Sequence, residues 1–105
     1  MQGTLDVLIL KALSWVPRHG YAVARWIEQT SESIQVLDGA LYTSLHRMQL
    51  RGWISSSWGT SDKGRRARFY ALTPAGRKQL SAEVASWGEY AAAVGRVLKA
   101  TTHRA

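Results

Sequence analysis

The side chains best suited to do chemistry in this sequence are polar and cationic, and they gather in two places. In the run Asp38 to Leu50, the residues Tyr42, Thr43, His46 and Arg47 offer hydroxyl, imidazole and guanidinium groups at helical spacing. If Leu41, Leu45 and Met48 point inward, a rotation of about 100° per residue turns Gly39, Thr43, His46 and Leu50 outward, with Arg47 beside them. Hydrogen-bonding groups on one exposed helix face can meet base edges or phosphates. Gly39 leaves the helix N-terminus open to a phosphate, which its free N–H groups would favour. The second place is residues 61–78, where Lys63, Arg65, Arg66, Arg68, Arg77 and Lys78 stand against Asp62 alone. Most of the chain's net charge of +7 therefore sits in one short stretch. A local field of that kind attracts a polyanion, and nucleic acid is the commonest one. The plainer readings are a solvated basic face, or charges that keep a strand edge from pairing with other chains.

Catalysis has no comparable constellation to rest on, so no enzyme is expected. His19, His46 and His103 fall on different segments and lack metal-ligand spacing. The seven acidic residues are scattered, with no pair suited to acid–base work. Gly59 to Gly64 has the glycine spacing of a phosphate-binding loop, but Arg65-Arg66 stands where Lys-Ser/Thr is required, and a strand follows. No metal and no cofactor are implied. The absence of cysteine excludes disulfides and thiolate zinc sites, and it fits a cytoplasmic protein. The most apolar run, Leu5 to Val16, is interrupted by Asp6 and Lys11, is too short to span a bilayer and lacks a basic leader. It reads as a core helix, and no membrane partner is expected.

The elements that must position these groups can be read along the chain. A length of 105 residues, 46% hydrophobic and 20% charged, suits one folded domain. Leu5, Leu8, Ile9, Ala12, Leu13 and Val16 recur at helical intervals, with Thr4 as N-cap and Pro17 as the stop. His19-Gly20 opens a second helix that fades between Gln29 and Ser33, and a short β-type stretch, Ile34 to Val36, follows. Asp38 can cap a third helix, which Gly52 ends. Trp53 to Trp58 and Arg66 to Leu72 form a β-hairpin with a long polar tip between them. Thr73-Pro74 starts a last helix that runs to about Lys99, ahead of a frayed tail over residues 101–105. Leu80, Val84, Trp87, Ala91, Val94 and Leu98 alternate spacings of four and three on it, the rhythm of a helix packing along another helix. The fold expected is mainly α with a small β-hairpin: a winged helix-turn-helix over residues 1–73 and a C-terminal dimerisation helix over 74–105. In that design the third helix enters the major groove of double-stranded DNA and the hairpin, the wing, lies along the backbone.

Four segments, in order, carry a family resemblance. Gly3-Thr4-Leu5-Asp6-Val7-Leu8-Ile9-Leu10-Lys11-Ala12-Leu13 resembles the opening helix of the PadR family of bacterial transcriptional regulators. His19-Gly20-Tyr21 is similar to the start of its second helix. Leu41-Tyr42, followed by Leu45, Arg47, Met48 and Gly52, resembles its recognition-helix motif. Arg65 to Gly76 resembles its wing strand and the turn into the last helix. Thr43 and Gln49 depart from the pattern, standing where the family often has proline and glutamate.

The resemblance implies a homodimer held by the C-terminal helix that usually represses by binding a palindromic operator. With a single such helix, the chain is similar to the shorter branch of the family. Carried over by position, Tyr42, Thr43 and Arg47 would serve the recognition helix and Tyr21 would touch phosphate. His46 and the wing residues Lys63, Arg65 and Arg66 complete the expected DNA-binding set. Trp15, Trp26, Trp53 and Trp58 read as core residues. Trp87 lies on the dimer stripe, and it resembles a position at which some PadR-like proteins hold a flat aromatic molecule between two C-terminal helices. A small planar aromatic effector there would alter the separation of the recognition helices. The reading from another class is a winged helix used for protein–protein contact without DNA.

Overall fold

The computed structural model describes residues 4–103. Gly3 of the opening motif and the last two residues of the tail lie outside them. The chain runs α1 (Thr4–Ala12), β1 (Arg18–His19), α2 (Gly20–Ser31), α3 (Asp38–Leu50), β2 (Ile54–Thr60), β3 (Arg66–Leu72) and α4 (Pro74–Leu98). The three strands make one antiparallel sheet in the order β1-β3-β2. Ile9, Leu10 and Leu13 from the first helical segment meet Val23 and Ile27 of α2, and Leu41, Leu45 and Met48 of α3. Ile54 and Tyr70 close this core from the sheet. The inward stripe expected on α3 is the buried one, and it fixes which residues of that helix face out.

Several local expectations change. The helix α1 ends at Ala12, short of Val16. Its last carbonyls are taken by side chains instead: Ser14 Oγ donates to Lys11 O at 2.7 Å and Arg18 Nε donates to Ala12 O at 2.8 Å. Ile34 to Val36 is not a strand. The Ile34 N–H donates to Ser31 Oγ and the Val36 N–H to Glu28 Oε2, so side chains satisfy this segment without a sheet partner. The third strand comes from Arg18 and His19, which pair with Tyr70 and Phe69 on the open edge of β3. Leu37 rather than Asp38 occupies the N-cap of α3, with no side-chain cap. Asp38 lies in the first turn, where its charge still favours the helix dipole.

The joint that holds the C-terminal helix is tied by several hydrogen bonds. Thr73 caps α4 by accepting from the Gly76 N–H at 3.0 Å, and its hydroxyl donates to Gly52 O at 2.6 Å. The Thr73 N–H donates to Trp53 O at 3.1 Å. Gly52 itself has φ +78°, which ends α3 with the left-handed residue such a turn favours. The end of α3, the root of the wing and the start of α4 thus meet within a few residues. Leu80 packs back against the chain's own core, whereas Val84, Trp87, Ala91, Val94 and Leu98 are exposed along the rest of the helix.

Candidate nucleic-acid interface

The outward face of α3 carries Thr43 and His46, both exposed, with Tyr42 half-exposed at its edge. Tyr42 is held rather than free. Its ring lies so close to Gly20 that a Cβ on that residue would sit 2.6 Å from the tyrosine hydroxyl. A side chain at Gly20 would have to push the Tyr42 ring aside. His19 Nδ1 accepts from the Ala22 N–H at 3.2 Å and caps α2. That cap sets the helix so that Tyr21 projects outward beside it, with the His19 and Tyr21 rings stacked 6.4 Å apart. Tyr21 is 62% exposed.

Arg47 does not share the outward face. Its Nη2 donates to both carboxylate oxygens of Asp6, a buried residue of α1. The pair ties α3 to α1 across the core, and it explains why an acid interrupts the apolar run of the first helix. Leu50 is 76% exposed, on the outward side that helical rotation gave it.

The wing is tighter than a long flexible loop. Strands β2 and β3 stay paired out to Thr60 and Arg66. Between them the Gly64 N–H donates to Ser61 O at 2.9 Å and the Ser61 N–H to Arg65 O at 2.8 Å. Gly64, with φ +74°, supplies the left-handed residue that closes a short hairpin tip of this kind. Lys63, Arg65 and Arg66 are exposed on or next to it.

Two residues outside the expected set join this surface. Trp58 is 56% exposed, not a core residue, and the guanidinium carbons of Arg66 and Arg68 lie 4.3 and 4.8 Å from its ring centroid. Trp15 is likewise exposed, with Lys11 Nζ 4.7 Å from its ring centroid, while Trp26 and Trp53 pack against the core as expected. The signal available for Trp58 was register. Trp58 pairs with Arg68, and Arg66 lies two positions along the same strand, so all three share one sheet face.

Tyr21 of α2, Tyr42 of α3 and Trp58, Arg66, Arg68 and Tyr70 of the sheet line a cleft of ≈ 420 Å³. A larger opening of ≈ 760 Å³ lies between α2 and the wing tip, lined in part by Arg25, Trp26, Lys63 and Arg65. Burial pushes the Tyr70 hydroxyl above the usual tyrosine value; the nearby Arg68 charge opposes this and Tyr42 adds to it. A proton held more tightly in the folded state stabilises fully below about pH 10, the unfolded value, and this contribution is lost as pH rises through the raised folded one. Urea midpoints of the wild type should fall as pH rises above about 10 by more than those of Tyr70→Phe. Parallel declines would show that the hydroxyl's burial is energetically idle.

A three-helix core with an outward third helix, a cationic two-stranded wing and a long C-terminal helix defines a winged-helix DNA-binding regulator. The family comparison agrees: residues 9–82 match the transcriptional regulator PadR-like family. This chain belongs to that family. A structure of a PadR-like transcriptional regulator from Bacillus cereus superimposes with a TM-score of 0.80 at 27% identity, covering 94% of this chain and 95% of that one. A transcriptional regulator from Clostridium thermocellum gives 0.83 at 26% identity, covering 93% and 96%. Among curated sequences, "Uncharacterized protein X" of Lysinibacillus sphaericus is 29% identical over 90 residues, 85% of this chain and 83% of that protein. No helix among the described residues is long and apolar enough to cross a membrane.

Proposed function

We propose that this chain is a cytoplasmic, non-catalytic homodimer that represses transcription by binding a palindromic operator. The observation that carries the reading is the cleft in which Tyr42 of α3 and the outward Tyr21 face Arg66 and Arg68 of the cationic wing. Residues 1–73 would hold the DNA contacts and residues 74–105 the dimer contact. Thr43 and His46 would meet base edges, with Tyr42 beside them. Tyr21, Lys63, Arg65 and Arg66 would meet phosphates, which set register and affinity without reading sequence. Arg47 acts in this reading as the tie that holds α3 at its angle, because its guanidinium is engaged by Asp6.

The dimer reading is supported by the apolar stripe Val84, Trp87, Ala91, Val94 and Leu98, which this chain leaves uncovered, with Tyr90 and Val97 widening it. Two such helices packed antiparallel or crossed would bury the stripe as a coiled coil buries its seam. A two-fold axis would then present two copies of α3 to successive major grooves. Trp87 is 40% exposed and its ring centroid lies 5.9 Å from that of Tyr90. A planar aromatic effector stacked there would change the spacing of the recognition helices and release the operator.

The test is a mobility shift with the upstream region of the protein's own gene at two salt concentrations. Wild type is expected to retard a palindromic fragment, and a Lys63/Arg65/Arg66 triple alanine variant to lose both affinity and salt dependence. Val94→Glu is expected to sediment as a monomer and to bind at least about tenfold more weakly, since one half-site is lost. A folded wild-type dimer that retards no DNA at low salt would replace this reading with a protein-interaction module. Tryptophan fluorescence unmoved by a panel of planar aromatics would remove the effector.

A further inference from the structure

The wing holds two like charges together without a counterion. Arg66 and Arg68 stand two residues apart on one strand, and both guanidinium groups lie over the Trp58 ring. Arg68 Nη1 donates to Ser56 Oγ at 3.0 Å. Among the described residues, no carboxylate forms an ion pair with either arginine. Side chains of this length are ordinarily free to move apart in water, and their repulsion favours doing so. The exposed tryptophan opposes that separation, because its ring quadrupole attracts each cation. Trp58 therefore keeps a pair of cations on the inner face of the wing and presents broad apolar ring surface beside them.

That pair opens on the ≈ 420 Å³ cleft between the wing and the helices. None of the residues lining it is acidic, and the facing wall is aromatic, from Tyr21 and Tyr42. An occupant must therefore be anionic and must offer flat or apolar surface between its charges. A sugar–phosphate backbone has that alternation. With α3 in a major groove and the wing over the neighbouring minor groove, the strand dividing the two grooves passes between those elements.

We infer that Trp58 is a positioning residue for DNA: it sets Arg66 and Arg68 as a pair on successive phosphates of the strand that crosses this cleft. Its ring packs against the intervening deoxyribose. This inference rests on the DNA-binding reading above and deepens it. Lys63 and Arg65 at the tip add diffuse attraction, whereas the Trp58-centred pair fixes where the backbone lies. It also makes Arg68, outside the set expected from sequence, a phosphate contact.

The experiment measures affinity for the upstream duplex across a salt series for wild type, Trp58→Ala, Trp58→Phe, Arg68→Gln and the control Thr43→Ala. Circular dichroism and thermal melts accompany each variant. Trp58→Ala is expected to bind about tenfold more weakly, and its log–log salt slope to shrink by about 1 to 2, the loss of one or two phosphate contacts. Trp58→Phe restores most of both, because a smaller ring still attracts cations. Arg68→Gln, which leaves the tryptophan in place, lowers the slope by about 1, whereas Thr43→Ala weakens binding with the slope unchanged. Wild-type binding with an unchanged slope in both Trp58→Ala and Arg68→Gln overturns the inference while leaving DNA binding intact. Absence of any wild-type binding overturns both. If Trp58→Ala melts early, the Arg68→Gln slope alone decides.

Discussion

Gly76→Ala is expected to be the most damaging single-methyl change in this protein. A Cβ at this position would lie 1.9 Å from the Trp53 carbonyl oxygen and 2.9 Å from its carbon. Both are backbone atoms, so no rotamer change relieves the clash. Either α4 or the root of β2 must move. Movement strains the Thr73 N–H bond to the same Trp53 oxygen and the Thr73 hydroxyl bond to Gly52 O. Alanine's better helix propensity returns at most about 1 kcal/mol. Overpacking with two disturbed hydrogen bonds costs about 3 kcal/mol or more, which corresponds to roughly 15 °C in melting temperature for a domain of this size. Gly39→Ala is the control. Nothing lies within 4 Å of a Cβ there, so thermal melting should be unchanged or slightly raised. Equal melting of Gly76→Ala and wild type would show that the joint yields easily. The change would also move α4 against the recognition helix, so the folded fraction should bind operator more weakly.

Arg47→Ala should cost stability first and DNA binding through it. Asp6 is buried, and the Arg47 guanidinium donates to both of its carboxylate oxygens. Stripping one member from a buried pair leaves a charge without compensation, at about 3 to 5 kcal/mol. Here the arginine side chain is 39% exposed, so water reaches the pair and a value near about 2 to 3 kcal/mol is expected. Asp6→Ala, which frees the more exposed partner instead, should cost less. Asp6→Leu with Arg47→Met should recover much of the loss, since a buried pair and its apolar replacement are often near balance. Chemical denaturation of the singles and the double measures the coupling. The effect on DNA separates the two roles open to this arginine. Loss of a base reader relaxes specificity at one position, whereas loss of the α1–α3 tie weakens every sequence alike. Relaxed specificity in a stable Arg47→Ala protein would return the residue to the DNA surface.

Most of the fold was legible because its signals are local. Helical spacing of apolar residues marked α1, α2 and α3, Thr73-Pro74 marked the start of α4, and alternation with glycine marked the wing. Reading failed where a segment's partner lies far along the chain. Ile34 to Val36 has strand-like composition, yet Glu28 and Ser31 side chains satisfy its backbone. Arg18 and His19 carry no strand signal between the Pro17 stop and the second helix, yet they complete the sheet by pairing with β3. Tryptophan hydrophobicity suggested burial for all four of the wing and α1–α2 tryptophans. Trp15 and Trp58 stay exposed at the surface, each with a cation against its ring.

The candidate site divides in the same way. Sequence determined the outward face of α3, since a buried stripe of Leu41, Leu45 and Met48 leaves Thr43 and His46 on the other side by helical geometry alone. It also determined the cationic wing and the uncovered stripe on α4, because charge and period are written residue by residue. Tertiary structure decided which groups were already engaged. Arg47 was one donor among several until the fold brought Asp6 to it from 41 positions away. Arg68 and Trp58 were a charge and an apolar residue on separate strands until pairing placed them face to face. Periodicity orients a side chain relative to its own element, whereas a partner is chosen by the packing of elements, and no local pattern carries that information.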